Sequence, residues 1–291
     1  MTPMLVQHHP HPASAPPATD APGRARDWAE IQERMLVPLY EAVYEHLEVG
    51  SGTRLLGLGC GSGLALLMAA ARGAQVTGVD TDHARVDLAR KRLLPDAGGH
   101  DPAGHAPQRC GETRLLYGGP ADAADPTRPA YNLITAFQPI GCTAGDSDGL
   151  APALSAAVRM AERGSAVVLA GWGPPERCAT SAVLRVAGRL TERLRTAATW
   201  RPALRDDLED VAARAGLRPD GSGRVACPFG YADTDSAVRG LFSTGLFDAA
   251  VAASDQATVE KEVTEALHPH VRPDGTVWMP NVFRYLVART P

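Results

Sequence analysis

From about residue 27 the apolar positions of the chain follow two alternating rhythms. Trp28, Ile31, Met35, Leu36, Leu39, Tyr40, Val43 and Leu47 recur at three- and four-residue steps, the spacing of one helix face. Pro38 inside that run predicts a kink or a division into two helices, since proline lacks the amide a continuous helix would use. After Gly50-Ser51-Gly52 a continuous apolar run predicts a strand over 53–58, and a helix follows over 62–72. The alternation goes on through strand 74–79, helix 82–94, strands 113–117 and 131–136, helix 149–163 and strand 166–170. Strands with no polar alternation, separated by helices, are buried on both faces. That pattern predicts an α/β fold with a parallel sheet covered on each side.

Beyond residue 170 the rhythm becomes helical. One amphipathic helix is predicted over 176–197, with Ala182, Val183, Leu184, Val186, Leu190 and Leu194 inward and Arg185, Arg189, Arg193 and Arg195 along its rim. Another is predicted over 203–215, closed by Gly216, and three more over 233–242, 246–253 and 255–267. Thr276-Val277-Trp278 and the run 282–288 predict an extended, hairpin-like end. Two stretches carry neither rhythm. Residues 1–24, rich in Pro, Ala and His, are expected to be a disordered tail, and 95–112, with Gly98, Gly99 and Gly104, a surface insertion.

Composition narrows the partners. Hydrophobic residues make up 44% and charged residues 21%, ordinary for a globular chain. A net charge of −4 offers no general attraction to nucleic acid or to anionic lipid, so neither partner is expected. The arginines of 185–195 read as a solvated helix face. Five scattered cysteines without a CxxC pair fit reduced thiols. With no apolar run near bilayer length and no basic-plus-apolar leader, the expectation is a cytoplasmic protein. His8, His9 and His11 lie in a tail without groups to orient ligands, so no metal is expected there. His268 and His270, beside Pro269, read as helix-end caps.

The chemistry centres on Gly59-Cys60-Gly61-Ser62-Gly63, between the first strand and its helix. Glycines at alternate positions let the backbone approach a ligand, and the helix amides beyond them offer donors. Asp80, ending the second strand, adds a carboxylate suited to a nucleoside. The spacing lacks the third small residue of a dinucleotide turn, since Leu64 follows Gly63. It also lacks the Lys and Ser/Thr of a triphosphate loop.

Instead, the apolar run with G-x-G-x-G resembles motif I of class I S-adenosylmethionine-dependent methyltransferases. Tyr131-Asn132-Leu133-Ile134-Thr135-Ala136-Phe137 is similar to that family's fourth strand. The passage from Arg163 through Trp172-Gly173-Pro174-Pro175 and the tail Arg272-Pro273-Asp274-Gly275-Thr276 to Tyr285 resemble a bacterial small-molecule, methyltransferase type 11-like subgroup. The resemblance spans about 28–289. It implies a doubly wound, mainly parallel seven-stranded sheet with an N-terminal helical cap and a helical insert after strand five. It implies one domain over 25–291, with its core at about 50–171, 203–230 and 275–289. Cap and insert would occupy about 25–48, 174–200 and 232–270.

By the same resemblance, Gly59, Cys60, Gly61 and Gly63 would line the methionine and ribose portion of S-adenosyl-L-methionine. Asp80 would take the ribose hydroxyls, Thr81 and Asp82 would flank the adenine, Ala121 and Asp122 would meet its ring, and Phe137 and Gln138 would lie beside the reactive methyl. Trp28, Gln32, Tyr40 and Trp172 are the candidates for the acceptor pocket. Three positions depart from the pattern: Gly57 where an acid usually helps hold the cofactor's amino group, Pro120 where an aspartate often meets the adenine, and Asn132 in place of the fourth-strand aspartate. Losing the acid's charge at Gly57 would weaken cofactor binding by about 1–2 kcal/mol, and a water or an N-terminal residue could replace it. The implied reaction is methyl transfer by in-line displacement to an O, N or C atom of a small molecule, an aromatic or indole-containing specialised metabolite included. No catalytic residue and no metal is singled out. A cofactor-binding cyclase or accessory protein on the same fold is the alternative. A homo-oligomer is left open.

Overall fold

The computed structural model describes residues 21–94, 112–192 and 200–291. The N-terminal stripe forms α1 (Ala21–Asp27), a π-helical turn (Trp28–Gln32), a 3-10 turn (Glu33–Leu36) and α2 (Val37–His46). Pro38 lies in the first turn of α2, where its missing amide breaks no helical bond, so the division expected at Pro38 occurs just before it. Helix begins at Ala21, inside the stretch expected to be tail; the rest of that tail, with His8, His9 and His11, lies outside the described residues.

The predicted alternation follows as β1 (Arg54–Leu58), α3 (Leu64–Ala71), β2 (Gln75–Asp80), α4 (His83–Leu93), β3 (Thr113–Tyr117), β4 (Tyr131–Ile140), α5 (Leu150–Val158) and β5 (Ala161–Trp172). The expected insertion lies, but for Glu112, outside the described residues. Then come α6 (Thr180–Glu192), α7 (Asp207–Arg214), β6 (Arg218–Ala226), β7 (Phe229–Tyr231), α8 (Thr234–Ser243), α9 (Asp248–Ala253), α10 (Gln256–Leu267), β8 (Val277–Met279) and β9 (Val282–Arg289).

Seven strands form one sheet in the order β3-β2-β1-β4-β5-β9-β6. The first five are parallel, and β9 runs antiparallel to both β5 and β6. Alternate residues of the buried strands serve opposite faces. Leu55 joins the cluster with Tyr40, Tyr44, Leu66 and Phe137, while Leu56 joins the one with Ile134, Leu154 and Leu208.

The chain end is not a hairpin. β8 pairs with β7 in a separate two-stranded sheet, while β9 enters the main sheet between β5 and β6. Ala166 to Trp172 of β5 supplies seven partners for β9, a far longer ladder than β8 has residues to provide. No helix among the described residues is long and apolar enough to cross a membrane.

The order of strands positions the site. From β1 the chain moves outward to β2 and β3, then returns to place β4 on the other side of β1. Helices leaving the C-terminal ends of β1 and β4 therefore diverge and open a crevice there, the usual ligand position in such sheets.

Candidate functional site

At the end of β1 the chain turns through Gly59, Gly61 and Gly63, whose φ angles are 59°, 57° and 81°. Side chains strain that left-handed region, so glycine is required there. The turn is tied to its neighbour by Cys60 N–H donating to Val79 O at 3.0 Å. Asp80, 9% exposed, accepts from Gly61 N–H through Oδ2 and from Asp82 N–H through Oδ1, both at 2.8 Å. Its carboxylate thereby fixes the turn and the entry to α4.

The other predicted residues gather on this rim to different degrees. Asp82 caps α4 by accepting from Arg85 N–H at 3.1 Å, and Thr81 beside it is exposed. Gly118 N–H donates to Asp80 O at 2.9 Å, which brings the turn after β3 to the same edge. There Ala121 and Asp122 are both exposed, and Asp122 Oδ2 accepts from Gly119 N–H. Pro120 opens this 3-10 turn, where proline's fixed φ suits the first position. Phe137 is buried against Tyr40, ring centroids 4.8 Å apart, and Tyr44 at 5.8 Å, while exposed Gln138 points its amide oxygen toward Gly59.

The proposed acceptor residues do not form one group. Tyr40 lines a small cavity with Gly57–Gly61, Leu66, Thr135, Phe137 and Gln138. Trp28 lines it too, but against the glycine turn, with the Arg85 guanidinium 4.4 Å from its ring centroid. Gln32 is buried and accepts from the Tyr231 hydroxyl at 2.9 Å, a packing contact. Trp172 sits apart in an aromatic cluster with Phe229 and Phe283.

Glu33 was not among the residues singled out from the sequence. Only 2% exposed, it is the one carboxylate lining that cavity among the described residues. Its Oε2 accepts from Ser62 Oγ and from Arg92 Nη1, and Arg92 also donates to Ser62 O. The signal in the sequence was slight: an acid on the buried side of an apolar stripe, two positions before Met35.

The three departures resolve differently. A Cβ at Gly57 would stand 2.9 Å from Cδ2 of buried Leu66, so α3 packs where an acid would begin. Asn132 lies at the opposite end of the sheet, where its Oδ1 accepts from Arg54 N–H and its Nδ2 donates to Gly52 O. An aspartate would lose the second bond. Its role is to align β1 with β4.

Burial controls the ionisable groups. Burial, then Asp80 and Glu33, push the Cys60 thiol up to about 12, so it is not a thiolate nucleophile near neutrality. Tyr40 is raised well above the ordinary phenol value by burial and by the Glu33 charge, and stays neutral. Among the described residues no three His, Cys, Asp or Glu side chains cluster to hold a metal.

Residues 56–98 match the family model of a methyltransferase domain. Among solved structures, a cyclopropane synthase from Mycobacterium tuberculosis shares 13% identity with a TM-score of 0.53, covering 93% of this chain and 94% of its own. A candidate methyltransferase from Bacillus halodurans shares 14% identity with a TM-score of 0.51, covering 87% and 98%. The YjhP protein of Escherichia coli shares 16% identity with a TM-score of 0.50, covering 91% and 98%. At these identities the structures establish the fold. No curated protein matches the chain by sequence.

The residues present suit S-adenosylmethionine chemically. The glycine cradle offers backbone donors, the Asp80 carboxylate an acceptor for hydroxyls, and Tyr40 with Phe137 an apolar wall, groups that would suit its amino acid, ribose and reactive ends. The cavity between them is about 30 Å³, room for one water, whereas ligand pockets run to roughly 300–1,000 Å³. A nucleoside is larger than this cavity, over which Trp28 and Glu33 lie against Gly61.

Proposed function

We propose that this chain, an S-adenosylmethionine-dependent methyltransferase of the class I fold, transfers a methyl group to an O, N or C nucleophile of a small molecule. The observation that carries the reading is the glycine turn of 59–63 clamped to the Asp80 carboxylate at the strand crossover. When bound, the cofactor supplies an electrophilic sulfonium methyl for in-line displacement.

The chain's own contribution is placement and exclusion of water. Asp80 holds Gly61 N–H, and so shapes the turn that would face the ribose. Tyr40 and Phe137 form a tilted aromatic pair beside the same turn, a wall suited to a flat, partly apolar acceptor such as an aromatic or indole ring. With Cys60 and Tyr40 both held protonated, neither serves as nucleophile or base, and the acceptor atom itself does the attacking. Residues 25–291 would act as one catalytic domain. Buried, unpaired thiols at Cys142, Cys178 and Cys227 support a reducing, cytoplasmic setting.

Incubating the protein with S-adenosylmethionine and a panel of small aromatic acceptors, followed by mass spectrometry, tests the reading. A product heavier by one methylene is expected. Cofactor binding with no such product from any O, N or C acceptor would point to a cyclase or accessory role.

A further inference from the structure

Gly57 leaves β1 without a carboxylate beside the glycine turn, and Leu66 fills the space where a side chain would begin. Opposite that gap stand two groups from the N-terminal turns. A Cβ on Gly61 would lie 3.0 Å from Glu33 Oε1 and 3.1 Å from Trp28 Nε1, so both polar atoms sit over the same glycine. Their bonding is asymmetric. Glu33 Oε2 is anchored by Ser62 and Arg92, whereas Oε1 has only a long contact, 3.5 Å from Leu64 N. Trp28 Nε1 is buried and has no hydrogen-bond partner among the described residues. A buried indole N–H without an acceptor costs free energy, so a partner there is favoured.

A carboxylate oxygen with only one long hydrogen bond, beside an orphaned N–H donor, is the complement of an α-amino acid: ammonium to the oxygen, carboxylate to the indole. We propose that Glu33 and Trp28 bind the amino-acid end of S-adenosylmethionine, with Glu33 replacing from the N-terminal segment the acid absent at Gly57. The assignment rests on the cofactor reading given above. It also matches charge. The amino-acid end is a zwitterion, and the Glu33–Arg92 pair directs its negative end toward Gly61, with Arg92 on the far oxygen. The backbone there is a π turn followed by a 3-10 turn, the irregular helix often found at functional sites and hinges. Such a segment can lift to admit the nucleoside and settle again over its polar end.

Two nucleosides separate this role from a structural one: S-adenosylhomocysteine, which has the amino-acid end, and 5′-methylthioadenosine, which lacks it. Calorimetry on the full chain should show Glu33→Gln binding S-adenosylhomocysteine about tenfold more weakly, the loss of one charge-assisted bond, with 5′-methylthioadenosine affinity unchanged. Trp28→Phe, which keeps a ring over Arg85 but loses the N–H, should show the same selectivity at about threefold to tenfold. Equal weakening of both nucleosides would overturn the proposal in favour of a role in shaping the turn. No weakening of either would overturn it as well. Wild-type protein that binds neither nucleoside would overturn the cofactor reading and this assignment together.

Discussion

The turn below the cavity and the turn above it meet at Gly61, but they are held in place by different means. The lower one, Gly59 to Gly63, continues from β1 and is fixed by bonds to β2 and to Asp80, inside a sheet whose register leaves little freedom. The upper one, Trp28 to Leu36, is irregular helix held through side chains: Ile31, Met35 and Leu36 in the core, Trp28 stacked on Arg85, Glu33 on Ser62 and Arg92, Gln32 on Tyr231. Regular backbone bonding makes a rigid floor. The roof lacks that bonding and is held by side-chain fastenings, each worth about 1 kcal/mol or a little more, together with the apolar burial of Ile31, Met35 and Leu36.

Breaking the floor should have the largest effect. Asp80→Ala strands the amides of Gly61 and Asp82, two charge-assisted bonds at about 1.5 kcal/mol or more each. Calorimetry should show S-adenosylhomocysteine binding weakened by more than about a hundredfold. Retained affinity would mean that neither the ligand nor the shape of the turn depends on this carboxylate.

Separating roof from floor is the next step down. Gly61→Ala places a Cβ between Glu33 Oε1 and Trp28 Nε1 at a φ of 57°, a strain of about 1–2 kcal/mol before any steric cost. The roof should lift, and Cys60 beneath it should report the opening. In the closed protein the thiol's value is raised from 9.0 to about 12, so at pH 9 it is still protonated and slow to alkylate. The fold favours the protonated thiol. That contribution is complete below pH 9.0, where the unfolded chain also keeps its proton, and is lost as pH rises toward 12. Alkylation of Cys60 at pH 9, followed by peptide mass spectrometry, should therefore be faster in Gly61→Ala than in wild type. An equal rate would mean that the roof does not seal the thiol.

The smallest change lies at the far end of the sheet. Asn132→Asp loses the bond to Gly52 O and should cost about 1 kcal/mol in chemical denaturation. Affinity for S-adenosylhomocysteine should be unchanged. A fall in affinity would show that the two ends of β4 are coupled.

Much of this molecule was legible from residue order. The parallel strands showed because each is buried on both faces and reads as an unbroken apolar run, and the glycine turn showed because left-handed backbone has so few alternatives to glycine. The edge strand β6 did not show. Arg218 to Ala226 is rich in glycine and polar residues and mostly solvent-exposed, and it is a strand only because β9 pairs with it. The chain end misled in the same way, since local pattern suggested that its two strands would pair with each other while the longer ladder lay with β5.

The site divides along the same line. Gly59, Gly61, Gly63 and Asp80 are close in sequence to the strands that position them, so their spacing, with the resemblance it carries, pointed to the floor. Glu33 acquired its place only when the chain packed an N-terminal turn onto Ser62 and Arg92, 29 and 59 positions away. The sequence by itself determined the strand-turn-helix units, because their geometry follows from local sterics and from burial on two faces. The tertiary structure alone decided which acid faces the turn, because a contact between distant segments depends on how whole elements pack, and a single glutamate in an apolar stripe carries no record of its partner.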